Sequence, residues 1–134
     1  MSRGYCAYCR KALEDEQAIL YEYTCYNIGE DNWKKSKETY DGSITIIKDA
    51  FVEPIIHQKI KKTPNGRKKL IVKRIHNEVN FSELLTAGKI TIENCSSTWK
   101  TVDGVDFLTL RLIWRIFYEY QDTSVIPEKM SCCY

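Results

Sequence analysis

Val105-Asp106-Phe107-Leu108-Thr109-Leu110-Arg111-Leu112-Ile113-Trp114-Arg115-Ile116-Phe117-Tyr118-Glu119-Tyr120 contains the most apolar run of the chain. Arg111, Arg115 and Glu119 fall four residues apart, so on an α-helix they form one narrow polar stripe. Leu108, Leu110, Leu112, Ile113, Trp114, Ile116, Phe117 and Tyr120 cover most of the rest. A helix this apolar either sits centrally in a fold or buries a second face against a partner, a homodimer included. Central burial is the simpler reading, and it places Trp114 and Phe117 in the core. Asp103 or Asp106 can cap the helix, which is expected to end near Gln121. The same three charges interrupt the run, so it does not read as a membrane span.

Upstream of this helix the apolar period shortens to two. Residues 18–26 (Ala-Ile-Leu-Tyr-Glu-Tyr-Thr-Cys-Tyr), Ser43–Lys48 and Lys89–Cys95 read as strands rich in β-formers. Residues 27–42 are polar, with Gly29, Asn32, Asp41 and Gly42, and read as a long loop. Asn80 followed by Glu83 is close to a capping box, and Gly88 would end the short helix between them in a left-handed turn. Pro54–Lys62 is open to two readings, a short helix or a hairpin arm, because Thr63-Pro64-Asn65-Gly66 is a strong turn and residues 70–76 form a strand behind it. Together these elements predict an α+β domain over residues 1–134. Its small, mainly antiparallel sheet is covered by one long C-terminal helix and one or two short helices.

Six cysteines stand in a chain whose start, Met1-Ser2-Arg3-Gly4-Tyr5-Cys6, has no apolar signal core. The chain is therefore expected in the cytoplasm, with reduced thiols, where metal binding or plain burial is favoured over a disulfide framework. Tyr5-Cys6-Ala7-Tyr8-Cys9-Arg10-Lys11 resembles, over about a dozen residues, the Cys-x2-Cys knuckle of zinc ribbons and of zinc-bound HNH-type nucleases. The resemblance implies a structural zinc on Cys6 and Cys9. Two further ligands would come from Cys25, Cys95, Cys132, Cys133, His57 or His76, with Cys6, Cys9, Cys25 and Cys132 as the leading set. An incomplete or metal-free cluster is the competing reading. An HNH site also needs neighbouring histidines to activate water, and this chain has only His57 and His76. A metal-dependent nuclease is therefore the least favoured function.

Net charge is +2, too small to imply nucleic acid by itself, but Lys59–Arg74 holds no acid. Lys59, Lys61, Lys62, Arg67, Lys68, Lys69, Lys73 and Arg74 crowd that segment, and such a projection can displace the counterions of a polyanion. The bland alternative is a solvated edge on which lysine discourages aggregation. No nucleophile elbow, phosphate loop or metalloprotease helix appears, and no small-molecule substrate is evident. The leading reading is a small non-enzymatic binding protein that contacts nucleic acid, or an acidic or nucleic-acid-binding protein, through residues 59–74. The frequent Ile, Lys, Tyr and Glu suit an AT-rich genome. The alternative is accordingly a protein inhibitor from a phage or mobile element that blocks a host defence nuclease.

Overall fold

The computed structural model describes residues 4–96 and 101–134; the reading of Met1–Arg3 lies outside them. In chain order the elements are β1 (Tyr5–Glu14), β2 (Ala18–Asn27), α1 (Trp33–Lys37), β3 (Gly42–Ile47), β4 (Ile55–Lys62), β5 (Lys68–Ile75), α2 (Phe81–Thr86), β6 (Ile90–Glu93), β7 (Thr101–Val102), β8 (Val105–Asp106), α3 (Phe107–Thr123) and β9 (Lys129–Cys133). The fold is mixed α+β. Its main sheet has the order β6-β3-β2-β1-β9, and every neighbouring pair is antiparallel.

Alternation along the strands separates two faces. One carries Ala7 and Cys9 of β1, Ile19, Tyr21, Tyr23 and Cys25 of β2, Ile44 and Ile46 of β3, and Cys132 of β9. It packs with Leu108, Leu112, Ile113, Ile116 and Phe117 of α3, all buried. Asp106 caps this helix, its carboxylate accepting the Leu108 N–H at 3.0 Å, and Ser124 closes it in the left-handed conformation. On the opposite face the segment expected as a long loop folds its middle into α1. Trp33 stacks on Tyr26 at 5.8 Å, and the Thr24 hydroxyl donates to the Ser36 carbonyl.

The expected Cys-x2-Cys knuckle is not formed. Tyr5–Glu14 is one ten-residue strand, and residues three apart on a strand point to opposite faces. Cys9 faces the core, where burial pushes its thiol up to about 12. Cys6 points the other way and is joined by a disulfide to Cys133 of β9, its register partner. This bond corrects the expectation of fully reduced cysteines: it is a single staple across two adjacent strands.

The ambiguous Pro54–Lys62 segment is a hairpin arm, not a helix. On α3, Phe117 is buried but Trp114 is 52% exposed, which corrects its expected place in the core. Trp114 projects on the side of Arg111 and Arg115 and tilts against Tyr118 at 4.9 Å. Among the described residues no helix is long and apolar enough to cross a membrane.

Candidate functional site

Strands β4 and β5 form a two-stranded sheet of their own, paired from Ile55↔Ile75 to Lys62↔Lys68. All their residues are exposed except Ile75. Eight residues per strand, at a rise of about 3.4 Å each, carry the arm roughly 27 Å. The turn is closed by the Thr63 N–H on the Arg67 carbonyl at 2.8 Å and the Gly66 N–H on the Thr63 carbonyl at 3.0 Å. Gly66 sits at φ +83°, a conformation that side-chain-bearing residues avoid.

Because register partners share a face, the arm has two unlike sides. One presents His57, Lys59 and Lys61 beside Lys69, Ile71 and Lys73. The other presents Ile56, Gln58 and Ile60 beside Leu70, Val72 and Arg74, with Lys62 and Lys68 near the tip. Among the described residues none of Lys59, Lys61, Lys62, Arg67, Lys68, Lys69 and Lys73 forms an ion pair. Arg74 differs from them. It donates to the carbonyls of Gln121 and Asp122 at 3.1 and 2.9 Å, where cationic charge suits the C-terminal end of α3. His76 bonds Asp122 at 2.6 Å, and Gln121 exchanges two hydrogen bonds with the Asn77 backbone. Arg74 therefore anchors the arm at its foot. His57 stands on the arm and His76 at its base, so the structure does not build the histidine cluster that an HNH site requires.

The four leading thiol ligands are not brought to one point. Cys6 is in the disulfide, and Cys9 lies diagonal to Cys132 on the core face of β1 and β9. Cys25 joins a different group: its sulfur, the Cys95 sulfur and an Asp106 carboxylate oxygen all lie within 4.8 Å of one another, and all three residues are buried. The Cys25 thiol donates to Asp106 Oδ2 at 3.2 Å, and the Cys95 sulfur lies 3.8 Å from the same oxygen. The Tyr23 hydroxyl donates to it at 3.4 Å and accepts the Cys95 N–H at 2.9 Å. Gly42 makes room for that tyrosine, since a Cβ there would stand 2.3 Å from the Tyr23 ring.

The Cys25 thiol is pushed up by its hydrogen bond with Cys95, then by burial and by the Asp106 charge. Burial above all raises Tyr23. Without a cation the group therefore holds its protons. A cation bound between two sulfurs and a carboxylate would reverse this, because metal ligation deprotonates thiols. The donor set can hold a metal ion. Sequence reasoning named Cys25 among the leading ligands, Cys95 among the further candidates and Asp106 only as a helix cap. No spacing motif links residues drawn from β2, the segment after β6, and the start of α3. The chain matches no protein-family model, no curated protein and no solved structure in the comparisons made.

Proposed function

We propose that this is a non-enzymatic binding protein whose β4–β5 arm holds the phosphate backbone of a nucleic acid. The observation that carries the reading is the arm itself: a projecting ribbon with unpaired lysines on one face and at its tip. Lysines that neutralise phosphates release condensed counterions, and a two-stranded ribbon fits the major groove of duplex DNA. Anisotropy of a labelled generic duplex should show affinity falling steeply with salt. Replacing Lys59, Lys61, Lys69 and Lys73 with Glu should abolish binding without moving the melting temperature. Each lost phosphate contact should also flatten the log–log salt slope by about 0.9. Failure of the native protein to bind DNA or RNA at low salt would overturn the reading.

A second reading, the protein inhibitor, is favoured by the other side of the arm. Ile60, Leu70 and Val72 are each more than half exposed there, as an apolar anchor for a protein partner would be. Charge reversal would then slow association more than it speeds dissociation.

Zinc is the metal we assign to the core group, since two thiolates with a carboxylate are a donor set that zinc accepts. Elemental analysis should find up to one zinc per chain. Cobalt substitution should give thiolate charge-transfer absorption that Cys25→Ser diminishes. Protein that takes up neither metal would refute the assignment.

A further inference from the structure

The side of α3 turned away from the sheet is not covered by another layer. α2 and the β7–β8 hairpin flank it, leaving a cavity of about 830 Å³ between them. Phe81 and Leu85 of α2 face Leu110 and Trp114 of α3 across it, with Val102 and Val105 on the third side. Wide exposure of Trp114 leaves a large aromatic surface in contact with water, where burial against a ligand is favourable. The size and the apolar lining are those of a small-molecule site.

The polar groups at the rim set the sign of the ligand. Arg111 and Arg115 stand one helical turn apart on the same wall, and neither pairs with a carboxylate among the described residues. Both are steadied from the far side. Arg115 donates to the Ser131 carbonyl at 3.3 Å, and the Arg111 guanidinium lies 5.7 Å from the centre of the Tyr134 ring. A guanidinium has five donors in a fixed fork, so each keeps N–H groups for a ligand. Asp103 is the sole acid of the lining, against two arginines. The hydroxyls of Ser82 and Thr86 lie on the opposite wall.

We propose that this groove binds a small amphipathic acid, with its apolar body against Trp114, Phe81 and Leu85 and its carboxylate between Arg111 and Arg115. The proposal is independent of the arm and of the metal assignment. A neutral ligand would leave the two guanidiniums without an anion, and a cationic one would meet them as like charges.

Titration calorimetry of the full-length protein with decanoate, decanol and decylamine separates these cases, since the three share one tail. Decanoate should bind saturably, decanol at least about tenfold more weakly, and decylamine not at all; the margin is that of losing one charge-assisted hydrogen bond. The Arg111→Gln, Arg115→Gln double variant should bring decanoate down to the affinity of decanol with little change in melting temperature. Should that variant fail to fold, Thr86→Glu places a carboxylate on the exposed rim and should repel decanoate instead. The proposal is wrong if the native protein binds none of the three at millimolar concentration. It is also wrong if decylamine binds as well as decanoate, or if a folded variant keeps its affinity for decanoate.

Discussion

The β1–β2 hairpin and the β4–β5 arm are both long antiparallel ribbons with one mainly apolar side. In β1–β2 that side carries Cys9, Ile19, Tyr21 and Tyr23, all fully buried beneath α3. In β4–β5 it carries Ile56, Ile60, Leu70 and Val72, between 48% and 66% exposed, and nothing in the chain packs on it. Their charges differ in the same way. Lys11 and Lys48 share Glu14, and Arg10 pairs with Glu22, whereas the arm's lysines have no acid nearby. The lesson is that strand patterning alone does not decide burial. A ribbon becomes core only where a third element closes over it, and an isolated two-stranded ribbon is marginal by itself. The arm gains its order from its foot, through Arg74, His76 and Gln121, and has its surface left for an external partner.

The sharpest way to break this contrast is to truncate one large side chain on each side. Phe117 stacks on Phe51 at 4.7 Å and meets Phe81 edge-on at 5.3 Å, so Phe117→Ala should cost about 3–5 kcal/mol by thermal or denaturant melting. Ile60→Ala at the arm should stay within about 0.5 kcal/mol. Equal losses would mean that the arm is part of the cooperative core.

Next in size is the staple. Cys6→Ser, or reduction of the native chain, should destabilise the main sheet by about 2–5 kcal/mol, because the bond closes a loop spanning 127 residues of sequence. Hydrogen exchange at β1 and β9 should quicken. The arm's amides, already fast, should not change.

The smallest effect concerns charge. Hydrogen bonds from Lys11, and then from Lys48, hold the Glu14 carboxyl down at about 2. A group lowered on folding contributes stability that is fully present above its ordinary value of 4.5 and lost as pH falls toward 2. Solvent screens the contribution, so Glu14→Gln should only flatten the melting temperature over that acid range. Charge reversal on the arm should leave the same profile untouched.

Several elements were legible from local chemistry. β2 and β3 announced themselves by β-forming residues, and α2 by the Asn80 cap, whose side chain accepts the Glu83 N–H at 3.1 Å. The helix cap was narrowed to two aspartates, of which Asp106 is the one used. What stayed hidden depended on distant partners. β1 was obscured because its cysteine spacing drew attention away from its alternation, and β9 because five residues are too few to show a period. The exposure of Trp114 follows from where α2 and the β7–β8 hairpin sit, which no helical wheel contains. The Cys25–Cys95–Asp106 group joins three segments by folding alone.

The pairing of β1 with β9 has a consequence during synthesis. The strand that needs covering is made first, and its cover comes about 127 residues later. At roughly 5–20 residues per second, the ribosome leaves the outer edge of β1 unpaired for roughly 6–25 s. An open strand edge is a template for pairing with other nascent chains. Expression should therefore be limited by how crowded the growing polypeptides are, with faster initiation giving more aggregate from an unchanged native state.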